Sequence, residues 1–366
     1  MLNEKKIAVV VPAYNEETQI GIVLDTMPDF VDRIVVVNDC SKDRTEQIVK
    51  EYISRQSGKH RVIEIPAIST EVEENIFNRA DVIAAEMNKE EEAFFHPHKI
   101  YNDNVTDRIV LINNLVNGKI GKALSVGYKW CRDHGIDCTA VMAGDGQMDP
   151  AELESICRPV IEENIDYVKG NRLSHKAAKR MIPPKRRFGN SVLSALTKVA
   201  SGYWRVSDTQ TGYTAISLHG LNCLDLYSLY PTYGVPNDIL IKLNIAKCTL
   251  REIPIKPVYA VGEQSKMKIA KVIPTVSWLL VKGYYTRIWK KYFINDFHPI
   301  FLLHIVSIVV CMATLYFLAL ILWALHSALM ISVGTYMGFV SLLIILLVSW
   351  IAIMWMDVNE NEDLQR

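Results

Sequence analysis

The 366-residue sequence predicts an α/β domain followed by a helical hairpin that crosses a membrane. Two observations carry this. In the first two thirds of the chain, short apolar runs rich in β-branched residues alternate with helix-like segments, the pattern of a sheet covered on both faces. Later, between Asp296 and Asp357, there are 60 consecutive residues without Asp, Glu, Lys or Arg, far more than a soluble core helix needs. The charge balance, 40 Lys+Arg against 40 Asp+Glu, argues against a general nucleic-acid binder, and a chain that is 50% hydrophobic can bury a core and is not disordered.

Taken in order, residues 7–11 form the first strand-like run, broken by Pro12-Ala13-Tyr14-Asn15-Glu16 ahead of an apolar-periodic segment to Met27. Residues 33–37 form the second, closed by Asn38-Asp39-Cys40-Ser41 before a helix over 43–53. Residues 62–65, 108–112, 139–142 and 167–169 continue the alternation, which reads as a Rossmann-like head with a parallel sheet. Residues 66–107 interrupt it: with ten acids against three bases and no convincing strand, they read as a solvated acidic insertion holding a helix over 71–95. Its His96, His98 and Asp103 are assigned no chemistry.

Two stretches are purely basic, 167–207 with ten Lys/Arg and 264–291 with seven, which predicts that they face lipid headgroups or substrate phosphates. Residues 300–325 and 333–355 are each long enough to span a bilayer, with a turn at 326–332. Arg287, Lys290 and Lys291 flank the first span and the turn carries no Lys or Arg, so the positive-inside rule places the head and both termini in the cytoplasm. Residues 269–294 mix Trp278, Tyr284, Tyr285, Trp289 and Tyr292 with lysines, as interfacial helices do; a linker helix packed on the head is the alternative. The expected organisation is a head over 1–262, juxtamembrane helices over 263–297, two spans over 298–356 and a tail over 357–366. The short apolar stretch before Pro12 is too brief for a signal-peptide core. Seven scattered cysteines without a CxxC pair suggest a reducing compartment and neither a zinc site nor a disulfide framework.

Turns that follow strands of a parallel sheet sit at its carboxyl edge, where open α/β folds bind ligands. Glu16 and Asp39 occupy two such turns and can accept hydrogen bonds from a ribose or a nucleobase; taken singly, each is no stronger a signal than a helix cap. In Ala143-Gly144-Asp145-Gly146-Gln147-Met148-Asp149-Pro150, hard oxygen donors follow an apolar strand, which suits Mg²⁺ or Mn²⁺ held by Asp145 with Gln147 beside it. Asp149 before Pro150 reads as a helix N-cap.

Together these strings resemble the family 2 glycosyltransferases of GT-A fold, in the branch of dolichyl-phosphate mannose synthase and the polyprenyl-phosphate sugar transferases. The resemblance covers most of the head: PAYNE at 12–16, NDCSKD at 38–43, NGKIGKALSVG at 117–127, AGDGQMDP at 143–150, YVKGNR at 167–172, DTQTGY at 208–213 and GEQSK at 262–266. It implies nucleotide contacts at Pro12, Tyr14, Glu16, Asp39, Gly118 and Lys122, metal binding at Asp145 and Gln147, and phosphate binding at Arg172, Arg187 and Lys266. Two departures stand out: Asn38 where the family carries an acid, and Ala143 at the first position of its Asp-x-Asp string.

The implied reaction is an inverting, metal-assisted transfer of one sugar from a UDP- or GDP-sugar to a polyprenyl or dolichyl monophosphate at the cytoplasmic membrane face. A phosphate acceptor with a second pKa of about 6 is already ionised and needs no general base. The alternatives are a sugar or lipid hydroxyl acceptor with Asp238 as base, or an inactive nucleotide-sugar-binding subunit. Expected partners are the nucleotide sugar, the polyprenyl phosphate and membrane lipid, without nucleic acid; a homo-oligomer is compatible with the sequence.

Overall fold

The apolar runs are continuous because each strand buries both faces. Ile7, Val9, Val11, Ile34, Val36, Ile109 and Leu111 enter one core. Their alternates Ala8, Val10, Val35, Val37, Val110 and Ile112 enter another on the opposite face. A computed structural model describes residues 2–56, 64–67, 77–181, 184–258, 269–327 and 329–366. Its strands are β1 (Ile7–Ala13), β2 (Arg33–Asn38), β3 (His98–Ile100), β4 (Ile109–Asn114), β5 (Cys138–Val141), β6 (Tyr167–Asn171), β7 (Thr214–Ser217) and β8 (Leu250–Pro254). The helices are α1 (Ile20–Asp25), α2 (Thr45–Gln56), α3 (Arg79–Glu91), α4 (Lys119–Asp133), α5 (Leu153–Glu162), α6 (Ala178–Met181), α7 (Pro184–Ser201), α8 (Leu218–Asn222), α9 (Val235–Ile245), α10 (Ile269–Trp289), α11 (Pro299–His326) and α12 (Val333–Glu360).

The eight strands form one sheet in the order β3-β4-β2-β1-β5-β7-β6-β8. It is mixed, not parallel as expected: β3 and β7 run antiparallel to their neighbours. Three strands, β3, β7 and β8, of 3 to 5 residues, are not among those expected from the sequence. Conversely, the expected strand at 62–65 is not seen where it is described. Ile65 is buried and its N–H donates to the Val105 carbonyl (3.1 Å), so it anchors a loop without joining a ladder; residues 62 and 63 lie outside the described residues. The insertion contributes α3 and the edge strand β3; residues 71–76 of its expected helix also lie outside.

β1, β2, β4, β5, β6 and β8 all end, and β7 begins, on one edge of the sheet. Order reverses between β1 and β5, so the turns after those two strands flank the crevice where such sheets bind ligands.

α11 and α12 are 28 residues each, roughly 42 Å at 1.5 Å per residue against about 30 Å of hydrocarbon. They pack closely: Ser307 and Ser349 are hydrogen-bonded at 2.9 Å, and a Cβ at Gly338 would meet Phe317 at 2.8 Å. Their outer faces are apolar and exposed, as at Val309, Leu322, Ile351 and Trp355.

The excess length of α12 is used by the head. Asp357 is buried against Arg287, whose Nη1 and Nη2 donate to it at 2.7 and 3.0 Å. Tyr292 and Trp204 donate to the same carboxylate at 2.5 and 3.0 Å. Beyond the helix, the tail lies beside β8: Leu250 N–H donates to Leu364 O (2.7 Å) and Arg366 N–H to Leu250 O (3.1 Å). Head and tail therefore share one side of the hairpin. Two of the three flanking cations, Arg287 and Lys291, are buried in protein and do not face lipid headgroups, which corrects the reading of that flank; Lys290 is exposed.

Candidate active site

The turn after β5 is drawn against the end of β1. Gly144 N–H donates to Pro12 O (3.2 Å), and a Cβ at 144 would stand 3.3 Å from both Pro12 O and the Ala13 Cβ, tighter than most side chains tolerate. Gly146 takes φ +71°, and Asp145 Oδ1 accepts from Gln147 N (3.0 Å), which folds the two candidate metal ligands into one turn. Asp149 caps the following helical turn through Ala151 N (3.0 Å), as its place before Pro150 predicts.

Asp145 and Gln147 open onto a pocket of about 170 Å³ that they share with Arg172, Gln210, Tyr213 and Lys256. The structure thus brings together Asp145, Gln147 and Arg172. Arg172 is held by a bidentate pair with Asp208, Nε to Oδ2 at 2.8 Å and Nη2 to Oδ1 at 3.1 Å.

Beneath this pair lies a charged cluster that the sequence reading did not assign. Lys169 is fully buried and donates to the Thr211 carbonyl. Burial pushes its ammonium down to about 8, against the pull of Asp208 and Glu252. Burial also works to raise the Asp208 carboxyl, but Arg172 and Lys169 overcome it and hold that group below its usual range. Glu252 accepts from Ser207 N (2.8 Å), Asp208 N (2.9 Å) and Asn171 Nδ2 (2.8 Å), tying β8 to the loop that presents Asp208. Lys169 and Asp208 lie inside YVKGNR and DTQTGY, and a lysine within an apolar strand was the available signal; Glu252 had none.

On the other side of the crevice, the turns after β1 and β2 are laced together. Asn15 N donates to Ser41 Oγ (3.0 Å), Glu16 N to Thr45 Oγ1 (2.9 Å) and Lys42 N to Asn15 Oδ1 (2.8 Å). Glu16 and Tyr14 stay partly exposed at this rim. Asp39 is buried, and its carboxylate accepts from Asn114 Nδ2 (2.8 Å), Gly118 N (2.8 Å) and Lys119 N (2.9 Å). It spends most of its acceptor capacity shaping the loop at the start of α4, where Lys119 sits at φ +65°. Asn38 fits its place as an amide: Nδ2 donates to Asn113 Oδ1 (2.8 Å) while Oδ1 accepts from Ser41 N (3.2 Å), and a carboxylate could not donate. Lys122 donates to Tyr227 O (2.6 Å).

Asp238 is not placed as a base. Its Oδ2 accepts from Tyr230 N (3.0 Å) and pairs with Lys242 Nζ (2.9 Å), and it does not line the Asp145 pocket. It caps the loop ahead of α9, while its neighbour Asn237 accepts from the pocket residue Gln210 (3.0 Å). The side chain of Arg187, and Lys266 entirely, lie outside the described residues.

A profile of the family described as glycosyl transferase family 2 matches residues 8–67, from β1 to the buried anchor at Ile65. The UDP-N-acetylglucosamine–dolichyl-phosphate N-acetylglucosaminyltransferase of Methanococcus voltae is 27% identical over 70% of this chain and 87% of its own length. A dolichyl-phosphate beta-glucosyltransferase of Trichomonas vaginalis is 24% identical over 78% of this chain and 75% of its own. Among solved structures, glucosyl-3-phosphoglycerate synthase from Mycobacterium tuberculosis, bound to Mn²⁺ and UDP, is 16% identical, with 78% of this chain and 80% of that one covered at a TM-score of 0.46. The chain is therefore similar to the glycosyltransferases of family 2 over the first part of its head, and dolichyl-phosphate sugar transferases are among the proteins it resembles along most of its length.

Proposed function

We propose that this enzyme transfers one sugar, with inversion, from a UDP- or GDP-linked donor to a polyprenyl or dolichyl monophosphate at the cytoplasmic face of a membrane. The observation that carries the reading is the convergence of Asp145, Gln147 and Arg172 on one polar pocket at the carboxyl edge of a head whose chain continues into an apolar hairpin. The dolichyl-phosphate substrates named for its relatives support the same acceptor class.

The Asp145 carboxylate and the Gln147 amide oxygen are hard donors folded into one turn and fit Mg²⁺ or Mn²⁺, with donor phosphates completing the shell. Such an ion, when bound, neutralises charge on the departing nucleoside diphosphate. Arg172, oriented by Asp208, offers a fixed cation to the same phosphates, and electrostatic stabilisation of this kind is worth about 10² to 10³ in rate per donor group. The turns at Pro12–Glu16 and the loop pinned by Asp39 would wall the nucleoside end. The acceptor phosphate is ionised at neutral pH and requires in-line placement, not deprotonation, which agrees with Asp238 being engaged elsewhere.

Purified protein in detergent with Mg²⁺ or Mn²⁺ should convert a short-chain polyprenyl phosphate and one of a panel of UDP- and GDP-sugars into the glycosyl-phospholipid, read by mass spectrometry. Asp145→Ala should lose at least about 10² of that turnover. Glycosylation of an alcohol acceptor in preference to the lipid phosphate would overturn the assignment.

A further inference from the structure

The seven cysteines show no metal spacing in the sequence, yet the fold gathers two of them with a histidine on the far side of the head from the Asp145 pocket. Candidate ligand atoms of His219, Cys223 and Cys248 all lie within 4.8 Å of one another, the one such grouping among the described residues. His219 and Cys223 are one helical turn apart on α8 and its C-cap, with Nε2 to Sγ at 3.7 Å. Cys248 reaches them from the turn after α9, where Lys247 takes φ +59°, and its carbonyl is fixed by the Tyr203 hydroxyl (2.6 Å).

A tetrahedral ion with Zn–S near 2.3 Å and Zn–N near 2.05 Å sets an N-to-S edge of roughly 3.6 Å, so the observed 3.7 Å needs almost no rearrangement. The histidine is also prepared for the role. Asp166 Oδ1 lies 2.8 Å from Nδ1, which fixes the proton there and turns the Nε2 lone pair to the sulfurs, and Asp166 Oδ2 is held by Thr249 N (2.8 Å) and Thr249 Oγ1 (2.9 Å). A carboxylate behind a histidine whose other nitrogen meets two thiols is the arrangement that zinc sites use.

We propose that His219 Nε2, Cys223 Sγ and Cys248 Sγ form a zinc site, oriented by Asp166, that clamps α8 to the α9–β8 turn and leaves the fourth position to water. Soft sulfur with imidazole selects zinc over the Mg²⁺ or Mn²⁺ suited to the Asp145 turn. Loading converts two thiols to thiolates and releases two protons per ion to the buffer, with no redox change. The site does not depend on the acceptor assigned above.

The test uses full-length protein in detergent, reduced and stripped of metal by a chelator, then titrated with Co²⁺ and back-titrated with Zn²⁺. The expected result is one equivalent showing sulfur-to-cobalt charge-transfer absorption and intense four-coordinate visible bands, displaced by Zn²⁺ with release of about two protons. Cys223→Ser should remove about half of the charge-transfer intensity, and Asp166→Asn should weaken binding by about 10- to 100-fold. His219→Ala, at an exposed position, should also weaken it, while Asp145→Ala and Cys311→Ser should leave the spectrum unchanged. Weak six-coordinate bands only, charge-transfer absorption that survives Cys223→Ser, or a Cys223–Cys248 disulfide whose reduced form takes up no zinc would each overturn the proposal.

Discussion

The contact between Arg287 and Asp357 should decide whether the membrane hairpin and the head behave as one body. Arg287 is 0% exposed and Asp357 2%. The guanidinium gives two hydrogen bonds to the carboxylate and one each to the Ala200 (3.0 Å) and Val199 (3.1 Å) carbonyls. Asp357→Leu leaves that cation buried with two backbone acceptors and also strips partners from Tyr292 and Trp204. Removing one member of a buried pair costs about 3–5 kcal/mol, whereas replacing both with apolar groups is often nearly neutral. Urea unfolding in mild detergent, followed by fluorescence with Trp204→Phe as the local control, should therefore show each single variant, Asp357→Leu and Arg287→Met, losing about 3–5 kcal/mol. The double variant should lose only about 1–2 kcal/mol. Single-variant losses that simply add in the double would refute a coupled, desolvated pair.

Three further outcomes are expected. Lys169 sheds its proton in the folded state near pH 8, below its ordinary 10.5, so the unfolded chain binds more protons between those values and stability rises with pH across them. From about pH 7.5 to about 9.5 wild type should gain roughly 2 kcal/mol relative to Lys169→Met; a flat difference would place the ammonium in water. A Cβ at Gly121 would fall 1.9 Å from the Tyr230 carbonyl oxygen, so Gly121→Ala should cost about 1–3 kcal/mol or more, while Gly189→Ala, with nothing within 4 Å on a helix, should be neutral or stabilising by up to about 1 kcal/mol in the same unfolding assay. Trp278→Glu should raise the KM for long-chain polyprenyl phosphate in vesicles and leave turnover of a short, water-soluble acceptor in place; equal loss with both would tie Trp278 to the fold instead.

What the sequence made legible was whatever depends on local pattern. The parallel strands show because both faces of Val9–Val11 and Val35–Val37 are buried and the run is therefore unbroken, and the hairpin shows because lipid demands uninterrupted apolar length. Asp149 was legible as a cap because Pro150 follows it. Illegible were features that depend on distant partners. Glu252 in LREIP has no signal of its own and acquires a role only when β8 pairs with β6. Asp39 stands in a nucleotide-like string, but its carboxylate is turned to Gly118 and Lys119, 79 and 80 residues away. Arg287 and Lys291 look like headgroup anchors by position and are instead buried in protein, because the far end of α12 brings Asp357 to pair with Arg287 and Asn361 to accept from Lys291.

α10 has two unlike faces. The packing of one face on the head bears out the head-packed reading, and the other face is compatible with the interfacial one. Val276, Leu280 and Arg287 lie on one side and are buried, the first two against Ala200 and Ile241. Trp278, Val281, Tyr285 and Trp289 fall within one narrow arc on the opposite side and are exposed. That outer face carries indole and phenol rings with the exposed Lys282 beside them, a mix that favours the water–lipid boundary. At 21 residues α10 runs roughly 32 Å from the α11 end beside Tyr292 toward the amino end of α9, where Asn237 meets the pocket residue Gln210. Rigidly fixed to the head on one face and seated in the interface by the other, it would hold that side of the head down on the bilayer. An acceptor whose phosphate must reach Arg172 while its chain stays in hydrocarbon requires such a strap, and an acceptor free in water does not.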